Sequence, residues 1–234
     1  MIAVFKKELK SYFYSPMAYI LIGIFIALTS IFFNPYLRYG YGEFTGMLDT
    51  ISFFLILIVP VFTMRLLTEE RKNGSEVLLL TSPTPLQNVI FGKYLAAIAV
   101  FMIMTALSWI YPTILVIFGG RITAQLVGGY IGFILLGAAF ISFGLFASSL
   151  TENQIISAII SVAGLLIIQV AESLSAMVGG IIGKILDWFS LLSRYRDFTS
   201  GIFKVAPVVY FLSFIALFLF LTVRVIDKRR WSQG

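Results

Sequence analysis

Apolar runs long enough to cross a bilayer recur along this sequence, and the polar stretches between them are short. A hydrocarbon core of about 30 Å takes about 20 helical residues per crossing. Charged residues make up only 12% of the chain and hydrophobic ones 59%. A soluble domain carries about 25% charged residues, so too little charge is present to cover a water-facing surface. The expected fold class is therefore all-α, a polytopic integral membrane protein with six transmembrane helices in one domain, residues 1–234.

The spans are expected at about 17–33, 50–67, 89–118, 126–150, 154–171 and 205–225. Before them, residues 1–15 carry Ile2, Phe5, Leu9, Tyr12 and Phe13 at helical spacing, with Lys6, Lys7, Glu8 and Lys10 mostly opposite. Such a helix lies in the membrane interface. The next apolar stretch is long and lacks a clean small-residue cleavage site, so the first span is expected to be retained. Residues 172–204 mix Glu172, Gly179, Gly180, Gly183, Lys184 and Asp187 with apolar stretches. Short amphipathic or re-entrant helices are expected there.

Basic residues set orientation. With the N-terminus inside, eleven of the seventeen Lys and Arg fall on the inner side. Both termini are therefore expected in the cytoplasm. The net charge of +6 sits at the ends of apolar runs, as anchors toward anionic headgroups. Membrane lipid is the expected partner, and nucleic acid is not. The chain has no Cys and no His. Disulfides, thiol catalysis, thiolate or imidazole metal sites and Ser–His intramembrane proteolysis are thereby excluded. No catalytic residue and no metal site are expected.

The most polar stretch, residues 68–88, carries Glu69, Glu70, Arg71, Lys72, Gly74, Ser75 and Glu76, then Val77, Leu78, Leu79, Leu80, Ser82, Pro83 and Pro85. Gly74–Ser75 is a candidate helix stop or cap. Charges followed by an apolar run read as a short amphipathic helix at the cytoplasmic surface, and a merely solvated loop has no need of that run. A second cytoplasmic turn, Thr151, Glu152 and Asn153, reads either as Thr151 capping the fifth span with Glu152 in its first turn or as a second partner contact. Glu172 closes the fifth span, and Gln169 is a candidate interhelical hydrogen-bonding group. Pro60 and Pro112 are expected to kink their helices, with freed carbonyls satisfied by neighbours or water. Small residues such as Gly137, Gly144, Ser157, Ser161 and Gly164 suit close packing within the chain. No G-x-x-x-x-G-K-[ST] phosphate loop is present, so any use of ATP must come from another chain.

The segment TEERKNGSEVLLLTSPTPLQNVIFGKYLAA resembles the region between the second and third spans of ABC-2 type permeases. Its acidic–basic cluster, Gly74-Ser75-Glu76 step, leucine run, Pro83 and Gly92-Lys93 carry the likeness. The start, FKKELKSYFYSPMAYI, and the end, YFLSFIALFLFLTVRVIDKRRW, are also similar to this family. They are most like its gliding-motility-associated and nitrous-oxide-accessory permeases. The resemblance implies an ABC-2, type V exporter-like transmembrane fold in a bacterial or archaeal cell membrane. It implies a second permease copy or related chain and two separate ATP-binding subunits, which would hold ATP and Mg. It places the coupling helix at about Glu69–Ser82, a second contact at Thr151–Asn153 and short extracellular helices at 172–204. An ATP-independent channel or carrier, and a membrane scaffold, are the alternative functions. The first of these calls for ionisable residues deep in several spans, which the sequence scarcely offers.

Overall fold

A computed structural model describes residues 1–39, 45–74, 85–181, 183, 190–201 and 204–232. The described residues form helices and no strand. The principal helices are α1 (Ile2–Tyr14), α2 (Pro16–Tyr39), α3 (Thr45–Thr63), α4 (Arg65–Lys72), α5 (Leu86–Ser108), α6 (Ile110–Ile117), α7 (Ala124–Leu150), α8 (Gln154–Val178), α9 (Leu191–Thr199) and α10 (Val205–Ser232). Six stretches are long and apolar enough to cross a membrane: Pro16–Leu37, Gly46–Lys72, Leu86–Ile117, Ala124–Leu150, Gln154–Ala171 and Val205–Arg229.

α7 is the centre of the bundle. It touches α3, α4, α5, α8, α9 and α10, and 72% of its spanning stretch is buried against 22% for the α8 span. Its small residues are what allow this. The Phe101 ring fills the space over Gly137, and the Thr63 side chain fills that over Gly144. Gly137 and Gly144 thus pack within the chain, as their spacing predicts. The peripheral helices turn Ile20, Ile24, Ile31, Ile159, Ile167 and Leu212 outward, an apolar coat suited to lipid.

Two spanning stretches are jointed. The second breaks at Met64, between α3 and α4, and the third at Trp109, between α5 and α6. At the first break the Thr63 hydroxyl donates to the Val59 carbonyl at 2.9 Å, a back-bond that bends helices. At the second, Pro112 has no N–H to offer the Ser108 carbonyl four residues before it. The Tyr130 hydroxyl of α7 donates to that carbonyl at 3.2 Å. This is the neighbour-satisfied carbonyl expected beside a proline in a span.

Several boundaries differ from the sequence reading. α2 continues through Asn34 and Pro35 to Tyr39, where a polar stretch is expected. α8 runs on to Val178, so Glu172 lies within a helix rather than at its end. α10 continues through the basic tail to Ser232. In α8 and α10 single polar and charged residues of fair helix propensity do not stop a helix, and apolar residues resume beyond Glu172. Of the expected short helices in 172–204, α9 is described. It packs Leu191, Tyr195 and Phe198 inward, and Ser190 caps it by accepting from the Ser193 N–H at 3.2 Å.

Candidate functional site

The most unusual group in the molecule is a buried cation. Lys93, on the third turn of α5, is 1% exposed. Its position depends on the residue before it. A Cβ on Gly92 would lie 3.0 Å from Val4 Cβ and 3.1 Å from the Met1 carbonyl oxygen, so glycine lets α1 lie directly across α5. One residue on, the Lys93 side chain enters the space between α1 and α4. Its Nζ donates to Glu8 Oε1 at 2.9 Å and to the Leu66 carbonyl at 2.8 Å. Glu70 Oε1 lies 2.8 Å away. Three acceptors match the three hydrogens of an ammonium. Lys7 Nζ adds a second cation, 3.5 Å from Glu70 and 4.0 Å from Glu8. Two cations against two carboxylates leave the cluster neutral, which a site this buried requires. A cavity of about 180 Å³ opens beside it, lined by Ser11, Arg65, Glu69 and Asn73 as well as the cluster itself.

The joint at Met64 is closed from the same side. The Tyr12 hydroxyl of α1 donates to the Phe62 carbonyl at 2.8 Å. Burial pushes the Tyr12 phenol above its ordinary range, and the neighbouring Glu8 charge pushes it further, so it stays a neutral donor. Arg65 pairs with Glu69 at 3.0 Å. It also reaches Met17 Sδ at 2.8 Å and Ser15 Oγ at 3.5 Å, at the turn between α1 and α2. The start of α4 is thus held from α1, α2 and α5.

The far end of α4 is tied to the other predicted turn. The Arg71 guanidinium donates to Glu152, between α7 and α8. Asn153, not Thr151, caps α8: its Oδ1 accepts from the Ile155 N–H at 2.9 Å and the Ile156 N–H at 3.4 Å. Thr151 ends α7 instead, its hydroxyl accepting from the Asn153 N–H at 3.1 Å. Asn and Thr are both good cap residues, so the sequence alone left the register of this turn open by two positions. Arg229 of α10 donates to the Ser149 carbonyl. One end of the bundle therefore gathers α1, α4, the α7–α8 turn and the last turns of α10.

The two predicted patches are brought together. Glu69, Glu70, Arg71 and Lys72 form the end of α4, and Thr151, Glu152 and Asn153 lie beside it through the Arg71–Glu152 pair. The expected helix over Glu69–Ser82 is not one helix. It stops at Lys72, and Gly74 turns the chain with φ +68°, a conformation glycine adopts without steric cost. Ser75, Glu76, Leu78, Leu79, Leu80 and Ser82 lie outside the described residues. Glu70 points inward to Lys93, and the outward groups are Lys72, Gly74, Glu152 and Asn153. Glu8 and Tyr12 were read only as parts of an amphipathic helix, and Lys93 only as an inner-side charge and half of a Gly-Lys pair. A sharper signal existed: Lys93 is the single charged residue in the whole of α5, Leu86–Ser108. Gln169 makes no hydrogen bond among the described residues. No group of three or more His, Cys, Asp or Glu able to hold a metal occurs among them either.

Compared with family models and with curated proteins, the chain matches none. The class that the geometry itself defines is an all-helical chain with six candidate membrane-spanning helices and a charged, cross-tied face at one end.

Proposed function

We propose that this chain is the transmembrane permease subunit of an ATP-binding cassette transporter of the export type, working with separate ATPase subunits. The carrying observation is the Arg71–Glu152 pair beside the buried Glu8–Lys93–Glu70 cluster. It makes two polar turns, far apart in sequence, one platform braced by three helices. A motor bound to such a platform moves α4, and α4 continues into the second spanning stretch. Coupling of this kind needs an element with two arrangements that a ligand biases, and the joint at Met64 is a suitable hinge. The platform would sit at the cytoplasmic face, with α1 as the interfacial helix and a second permease chain completing the pore. Its exposed groups, Lys72, Gly74, Glu152 and Asn153, would meet the ATPase. Rim charges of this type steer and register a partner more than they hold it.

The test is purification of the full chain from its native membranes, with wild type compared to Lys72→Glu combined with Asn153→Lys. A soluble subunit carrying a phosphate-binding loop should accompany the wild type in equal number. The double variant should insert normally and lose that subunit and its ATP hydrolysis. A stable wild-type oligomer without any ATP-binding subunit would sink the reading.

A further inference from the structure

A second cavity lies between the first turns of α5 and the C-terminal half of α10. It measures about 410 Å³ and is lined by Gln87, Phe91, Ala216, Leu219, Phe220, Val223, Arg224 and Asp227. The α10 residues fall at steps of three and four, so they share one face of that helix. From Asp227 to Ala216 the groove follows α10 for about 16 Å at 1.5 Å per residue. This is the depth of one leaflet, about half of a 30 Å core.

Polarity changes along that length. The inner part is Phe91, Ala216, Leu219 and Phe220. The outer part carries Arg224, Asp227 and Gln87, where the helices reach the membrane surface. The Arg224 guanidinium lies over the Phe220 ring, 5.0 Å from its centroid, leaning along the groove wall. Neither Arg224 nor Asp227 makes an ion pair among the described residues, and Gln87 has no hydrogen-bond partner among them. Packing within the chain accounts for the apolar wall. It leaves one cation, one anion and one carboxamide at its mouth without an ion-pair or hydrogen-bond partner among the described residues.

We propose that this groove is a binding site for a zwitterionic phospholipid with a primary ammonium headgroup, of the phosphatidylethanolamine type. Arg224 takes the phosphate and Asp227 the ammonium, each by a charge-assisted hydrogen bond. One acyl chain lies against Phe91, Leu219 and Phe220. The pairing of opposite charges selects against phosphatidylglycerol, whose neutral glycerol headgroup offers Asp227 no cation. It also selects against phosphatidylcholine, whose quaternary ammonium has no hydrogen to donate. The site depends on the chain crossing a membrane and is independent of any ATPase partner.

The test offers the detergent-solubilised full chain an equimolar mixture of phosphatidylethanolamine, phosphatidylcholine and phosphatidylglycerol with identical acyl chains. Native mass spectrometry reads the retained lipid. Wild type should keep one phosphatidylethanolamine per chain with about tenfold preference, the scale of one hydrogen bond to a charged group. Asp227→Asn should erase the preference, Asp227→Glu should keep it, and Arg224→Gln should lose the bound phospholipid altogether. Equal retention of the three lipids by wild type overturns the proposal, as does a preference that both charge-removing variants preserve. The chain has no cysteine, so Phe220→Cys supplies a single thiol. Efficient disulfide dimerisation of that variant in membranes would show a second copy covering the groove and would equally overturn the lipid assignment.

Discussion

The two joints in the spanning helices use the same raw material and end differently. Each lies within four residues of a proline, Pro60 before Met64 and Pro112 after Trp109. At Trp109 the repair is neutral: the Tyr130 hydroxyl takes up the Ser108 carbonyl, and the Tyr111 hydroxyl donates to the Ile26 carbonyl at 2.9 Å. At Met64 the repair comes from several helices, as a neutral hydrogen bond from Tyr12 and ionic contacts through Arg65 and Lys93. A neutral joint only has to satisfy backbone. An ionic joint also fixes which helices sit against one another, because a misplaced charge is far more costly than a misplaced hydroxyl. The ionic joint stands at the start of α4, whose far end is exposed.

The contrast breaks most visibly at Lys93. Lys93→Met leaves the Glu8 and Glu70 carboxylates facing each other without their shared cation. The expected loss is about 3–5 kcal/mol, the range for removing one partner of a buried pair, read as a fall in the unfolding transition of the purified chain. Adding Glu8→Gln and Glu70→Gln should recover most of it, and failure to recover would mean that the lysine acts by packing and not by charge. A smaller effect is expected at the neutral joint. Tyr130→Phe should cost about 0.6 kcal/mol, the average for hydrogen bonds between helices in a membrane, and no more than about 1.7 kcal/mol. If it cost as much as Lys93→Met, the distinction between the joints would collapse. The smallest effect belongs to the exposed tie. Arg71→Gln removes a pair whose Glu152 side chain is 67% exposed, worth about 0–1 kcal/mol. That effect should vanish at high salt, whereas the Lys93 effect should persist.

All six spans were legible because long apolar runs and scarce charge leave few other folds. The joints were half legible. The prolines announced trouble in the second and third spans, but Pro60 gave no hint that the break falls at Met64, since the packing of Thr63 against Gly144 is tertiary. The platform was legible as two patches and not as one. Nothing local says that Arg71 meets Glu152, because that pairing depends on α4 packing against α7. The inward turn of Glu70 is hidden for a related reason: its carboxylate meets Lys93, which belongs to a different span. Thr151 was misplaced by two positions because either it or Asn153 satisfies the chemistry of a cap.

The neutral cluster around Lys93 also bears on how the chain is made. Glu8 and its cation are 85 residues apart, so at ribosomal speed α1 emerges roughly 4–17 s before the group that anchors it. Through that interval Glu8 has no Lys93, and its carboxylate has water as its only good partner. α1 therefore settles only after the two spans that follow it have been made. When Lys93 arrives, it captures Glu8 from α1 and Glu70 from α4 together, acting as the latch that closes an otherwise finished half of the molecule.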